Sequence, residues 1–193
     1  MKNFFYSLAL GVVFFVAQQC YGQHPRYDST MKIGEAGYRV SCSNKKPDAN
    51  ELYVKPLGFD HEARGLGFFV KGYVKGCEVD DMNDDGYPDL LVYVYSGPDD
   101  AFGAVVAFGS DQNKKIVPFP LPDVVLNGKI NEGYRGHDHF SLMEGSLLDK
   151  FPIYKQGDEK DKPTGGYRIV QYKMTSNGQG GFQFVMLRFY ETR

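Results

Sequence analysis

The chain has 193 residues, a formal net charge of −2, 42% hydrophobic residues and no tryptophan. That balance excludes a disordered chain, is enough for one domain with a substantial core, and offers no basic face of the kind that holds nucleic acid. Lys2 precedes an apolar stretch from Phe4 to Ala17 that is too short for a membrane span, so residues 1–22 read as a secretory signal. Cleavage after Gly22 leaves residues 23–193 as a single domain, periplasmic or secreted, and one unit more acidic for the loss of Lys2. The alternative, a lipoprotein acylated on Cys20, would put the bulky Gln18 and Gln19 where lipidation signals place small residues.

Beyond the signal, short β-branched and aromatic runs are cut by Gly, Pro and Asn, with no helical period of useful length. The expected class is all-β, an antiparallel β-sandwich or barrel-like domain. Strands are expected at 38–43, 52–56, 68–74, 90–95, 104–108, 140–144, 147–154, 167–175 and 182–190. Glu144-Gly145-Ser146 is a turn, and Asn177 to Gly181 closes a terminal hairpin. One or two turns of helix are expected near 123–132, and 155–165 reads as a polar loop. In the last run Phe182, Phe184 and Met186 alternate with Val185, Leu187 and Phe189. Two apolar faces predict a central strand buried between two layers. Cys42 and Cys77 remain after signal removal, and a disulfide between them is expected in an oxidising compartment.

The run Asp81-Met-Asn83-Asp-Asp85-Gly86-Tyr87-Pro-Asp89 resembles the calcium loops of dockerin, EF-hand and integrin-type repeat proteins. Asp81, Asn83, Asp85 and Asp89 would give side-chain oxygens and Tyr87 its carbonyl, which suits a hard cation. The twelfth position is Val92 rather than a bidentate Glu, and Asx-rich turns also bind their own amides without a metal. Calcium is therefore the one cofactor the sequence suggests, and none is required. His137 and His139 flank Asp138 but lack the further ligands of a zinc site, so hydrogen bonds from His137 and Asp138 to loop backbone are expected. No nucleophile elbow, phosphate loop, dinucleotide fingerprint or zincin helix is present, and the chain does not read as an enzyme.

From about Asn50 onward the chain resembles the periplasmic inhibitors of invertebrate-type (I-type) lysozyme. The matching stretches are Leu52-Tyr-Val-Lys-Pro-Leu-Gly58, Val79 to Asp89 followed by Val92-Tyr-Val94, and Gly133-Tyr-Arg-Gly-His-Asp-His-Phe140. Glu144, Phe151-Pro-Ile-Tyr154, Pro163-Thr-Gly-Gly166 and Gln171-Tyr-Lys173 continue the match. The resemblance implies a β-sandwich or barrel, a homodimer, and a protein partner: an I-type lysozyme or another peptidoglycan hydrolase. In that family a serine- and glycine-rich loop ending in Tyr-Gly enters the lysozyme cleft. Here the loop reads Ser96-Gly97-Pro98-Asp99-Asp100-Ala101-Phe102-Gly103, with Phe102 in place of the tyrosine and Asp99 in place of an inserting serine.

The loop stands as a binding candidate without the family name. Pro98 stiffens it, Gly97 and Gly103 bracket it, and an aromatic such as Phe102 is a common anchor at interfaces. The other outcome is that Phe102 turns inward to begin the next strand. Tyr134 and Arg135 are further partner-binding candidates, Arg135 alternatively pairing with Asp138. A second functional class is a calcium-stabilised structural or glycan-binding module built on the Asp81–Asp89 loop.

Overall fold

A computed structural model describes residues 24–193; the signal reading of residues 1–22, and Cys20 with it, lies outside them. The fold follows from one strand whose both faces are apolar, Asp89–Ser96, which is buried from Asp89 through Val94. Such a strand needs a partner layer on each side. Leu90, Val92 and Val94 face Tyr38, Val40, Leu52 and Val54, while Leu91 and Tyr93 face Phe140, Leu147, Phe151 and Tyr172.

The result is three stacked antiparallel four-stranded sheets. The first holds β1 (Tyr27–Ile33), β2 (Ala36–Cys42), β3 (Asn50–Leu57) and β4 (Leu66–Val70) in sequence order. The middle sheet holds β5 (Tyr73–Asp80), β6 (Asp89–Ser96), β7 (Phe102–Asp111) and β8 (Lys115–Pro120). The third is ordered β12-β11-β10-β9, with β9 (His139–Met143), β10 (Ser146–Pro152), β11 (Tyr167–Ser176) and β12 (Phe182–Thr192). The all-β antiparallel class holds, as an open sandwich of three layers rather than a barrel.

Three local expectations are corrected. The run 68–74 is two strands in different sheets, divided at Gly72, whose φ of +105° and close approach to the Tyr95 carbonyl leave no room for a side chain. β12 is an edge strand, not a central one: Phe184 packs inward and Val185 faces away uncovered, and a bulge at Leu187 brings Phe189 opposite Val170, where its ring lies 5.8 Å from Arg168 and is still 40% exposed. The region 123–132 holds the short helical turns expected there, the 3₁₀ turn Val124–Leu126, whose N-cap Asp123 accepts from the Val125 amide at 2.8 Å, and a turn closed by the Asn131 amide on the Asn127 carbonyl at 3.1 Å. The expected disulfide is absent, and Cys42 and Cys77 are free thiols. Cys42 lies in β2 and Cys77 in β5 of the next sheet, where Tyr27 Oη at 2.7 Å and the Met31 sulfur at 3.7 Å surround its Sγ. Burial pushes the Cys77 thiol up to about 11, which makes it a poor nucleophile.

β6 is anchored at its start. Asp89, 1% exposed, accepts from the Met82 amide at 3.1 Å and the Ser110 amide at 2.9 Å, tying the acidic loop to the end of β7. Burial raises its carboxyl to about 7 against the lowering effect of those two donors. Asp89→Ala would strand two buried amides, and urea unfolding is expected to show a loss of about 2–4 kcal/mol.

Candidate functional site

β6 ends at Ser96 and β7 begins at Phe102, so the segment between them is held at both ends by the middle sheet. Inside it Pro98–Asp100 forms a 3₁₀ turn, and Gly97, Asp99 and Asp100 take φ of +82°, +56° and +53°. Left-handed backbone at two successive aspartates persists only where neighbours hold it. Here Asp99 Oδ2 meets Lys160 Nζ at 2.5 Å, and Asp100 Oδ2 meets Lys75 Nζ at 2.7 Å and His24 Nε2 at 3.6 Å. The Lys160 ammonium holds the Asp99 carboxyl below the usual carboxylate range. On the other side the Ala101 carbonyl accepts from the His137 amide, and the Gly103 amide donates to Asp138 Oδ2 at 2.7 Å.

The loop is consequently a fixed shape. Phe102 is 43% exposed, neither turned into the core nor fully projecting, and its ring lies between two glycines. A Cβ on Gly97 would fall 2.7 Å from the ring, and one on Gly136 3.0 Å. Phe102 divides two concavities. The shallower, about 190 Å³, is lined by Pro98, Arg135, His137, Tyr154 and Lys160. The deeper, about 260 Å³, is lined by Ser96, Ala104, Val124, Tyr134, Phe140 and Asp149, among others.

Of the two further candidates, Arg135 stays at the surface. Its guanidinium lies 4.8 Å from the Tyr154 ring centroid and donates to the Asp158 carbonyl at 3.1 Å, so it does not pair with Asp138. Tyr134 turns inward instead: its ring meets Phe151 edge-on at 4.8 Å and its hydroxyl donates to Asp138 Oδ2 at 2.8 Å. His139 is exposed, and His137 serves the loop through its backbone amide.

The floor of the deeper cavity was not foreseen. In β10 the alternation that points Leu147 and Phe151 into the core also points Asp149 there, 1% exposed. Asp138, 6% exposed, lies just before β9, whose Phe140 is opposite Asp149 in the register. Each carboxyl has one buried oxygen, Oδ1, without a hydrogen-bond partner. Neither is in an ion pair among the described residues. Burial raises both carboxyls, and the charge of Asp138 raises Asp149 further. The hydroxyls of Tyr95, Tyr134 and Tyr172 are pushed up first by burial and then by these acids, Tyr95 to about 12. Sequence carried a signal for Asp149, an acid in register with Leu147 and Phe151, but strand patterning treats a lone polar residue as an interruption.

The wall opposite is clamped by another buried charge. Arg168 of β11, 5% exposed, donates from Nη1 to the carbonyls of Ile130 at 2.5 Å and Glu132 at 2.8 Å, and from Nη2 to Glu191 at 2.5 Å. This fixes the chain that follows Val124 and Val125, two residues of the cavity wall.

In the acidic loop the expected ligand oxygens serve backbone amides. Asp81 accepts from Asp85 and Gly86 at 2.9 and 2.8 Å, Asn83 from Asp85 at 3.2 Å, and Asp85 from Tyr87 at 2.9 Å. Asp89 is committed to Met82 and Ser110, away from the Tyr87 turn. No cluster of three or more His, Cys, Asp or Glu side chains suited to a metal occurs among the described residues.

Searches against protein-family models, curated proteins and solved structures each find no match to this chain.

The acids give stability a definite pH dependence. Asp89, Asp138 and Asp149 have folded pKa values above their unfolded ones, so their contribution is full below about pH 4 and is lost as pH rises through the folded values. Asp28, Asp99 and Asp158 are shifted down, and what they contribute is lost as pH falls below about 4; lying at the surface and screened by solvent, they weigh less. Thermal melts are expected to give a higher midpoint near pH ~5 than near pH ~8. Asp149→Leu is expected to raise stability at pH ~8 by about 1–3 kcal/mol and to flatten the profile. For the acidic loop, melts in millimolar calcium and in chelator are expected to coincide, and a midpoint raised by calcium would make Asp81, Asn83 and Asp85 ligands.

Proposed function

We propose that this chain is a cell-envelope protein that binds a peptidoglycan hydrolase of the I-type lysozyme kind through the loop 96–103 and thereby blocks it. The observation that carries the reading is Phe102, a large aromatic left 43% exposed on a loop otherwise pinned by ion pairs and backbone bonds. An anchor that is already ordered loses little freedom on docking, which is what makes an aromatic a hot spot. The two carboxylates in the loop, which a hydrolase cleft with its own pair of acids would repel, are each neutralised within the chain, Asp99 by Lys160 and Asp100 by Lys75. Arg135, Tyr154 and Lys160 extend the docking surface on one side of Phe102.

Purified residues 23–193 are expected to slow lysis of peptidoglycan by an I-type lysozyme. Phe102→Ala is expected to weaken inhibition by about tenfold or more, the loss of a central aromatic contact. Phe102→Tyr, which adds the hydroxyl that the resemblance implies, is expected to strengthen it. Absence of binding or inhibition at micromolar concentration against every lysozyme class tested would end this reading.

A further inference from the structure

Two buried carboxyls without a cation are costly, and a fold that keeps them needs a reason. An uncompensated acid in an apolar interior loses several kcal/mol unless it is neutralised or paired, and a leucine at position 149 would fit the Leu147–Phe151 pattern without that cost. Asp149 is 1% exposed, borders the deeper cavity and has no partner for Oδ1. Asp138, held behind it by the Gly103 amide and the Tyr134 hydroxyl, likewise has an unpartnered Oδ1. An ionised carboxylate only accepts, so whatever keeps Asp149 ionised at the cavity must bring donors and a positive charge.

We propose that the cavity beneath Phe102 is a receptor for an alkylammonium group, whose charged head sits at Asp149 and whose carbon stem lies against Phe140 and Val124. An ammonium carries three donors and no acceptor, which matches the lining carboxyl of Asp149, whose Oδ1 accepts no hydrogen bond. It also supplies the positive charge that neither acid has, and Tyr134 and Phe140 offer ring faces for it. The volume of about 260 Å³ falls below the ~300–1,000 Å³ of sites for drug-sized ligands, so the occupant is small. The exposed Phe102 and Val125 line the opening, which gives a way in from the surface on which Phe102 stands. The group can be a free amine or a lysine side chain of a docked protein. The inference goes beyond the hydrolase reading and does not depend on it, because the free amine needs no partner protein.

The test is a titration of residues 23–193, isotope-labelled at methyl groups, followed by NMR at Leu121, Val124 and Val125. The probes are n-butylammonium, n-butanol as its uncharged counterpart, and Nα-acetyl-lysine N-methylamide as a peptide-borne lysine. Butylammonium is expected to shift these methyls saturably at millimolar concentration while butanol does not. Asp149→Asn is expected to weaken binding at least tenfold, as is Val125→Trp, which obstructs the cavity from an exposed lining position and leaves both acids in place. A lysine amide that binds as well as butylammonium supports a partner side chain as the source, and butylammonium binding alone supports a free amine. Equal shifts with butanol, unchanged affinity in both variants, or no saturable shift with either amine would overturn the proposal. Loss of lysozyme inhibition in Phe102→Ala with amine binding intact would separate the two sites of action.

Discussion

Burial of β6 on both faces is the constraint on which the rest of this structure depends. A strand that reads Leu-Leu-Val-Tyr-Val-Tyr has no polar side to turn toward water, so the middle sheet must be covered twice, and two cores result. Neither outer sheet can come away without exposing one face of β6. The ends of the same strand position everything of functional interest: Asp89 ties the acidic loop at one end, and Ser96 delivers the 97–101 loop at the other. A loop that leaves and re-enters adjacent strands of a sheet buried on both sides starts from fixed points, and its ion pairs and backbone bonds do the rest.

The cavity beside that loop reverses the usual logic of a core. Arg168, the other buried charge nearby, is fully engaged by two carbonyls and Glu191 and serves to hold the chain after the 3₁₀ turn in place. Asp149 has no comparable partner. Buried charges that stabilise a fold are satisfied, whereas unsatisfied ones tend to mark places where stability has been given up for binding or chemistry. Phe102 and Asp138 are linked through Gly103, whose amide binds the carboxyl and whose missing side chain leaves room for it. A Cβ there would fall 2.8 Å from Asp138 Cβ and 2.6 Å from the Phe140 ring. The loop and the cavity wall are thus in mechanical contact.

Sequence patterning revealed the all-β class and most strands, because alternation and turn chemistry are local. It missed β1 and β8, both edge strands. β1 is mostly polar, Tyr-Asp-Ser-Thr-Met-Lys-Ile, and β8 carries Pro118 and Pro120, which only an edge tolerates. It misplaced β12 for the opposite reason: two apolar faces look alike whether or not a second layer covers them, and layer count is a property of the whole chain. The loop 96–103 was legible from Pro98, its bracketing glycines and Phe102. The partners of that loop were not, since Lys75, Lys160 and the adjacent His137 and Asp138 come from three distant segments. The two cysteines illustrate the same limit: their number and the expected compartment suggested a bond, while the structure leaves them as free thiols on strands of different sheets.

The claim that the 97–101 loop is part of the scaffold rather than an appendage is tested most directly by native-state hydrogen exchange. The amides of Leu91 to Val94 are expected to exchange only through global unfolding, and those of Ala101 and Gly103 to be protected well above random-coil rates, because they donate to the Pro98 carbonyl and to Asp138. Random-coil exchange at Ala101 and Gly103 beside a protected β6 would contradict the account.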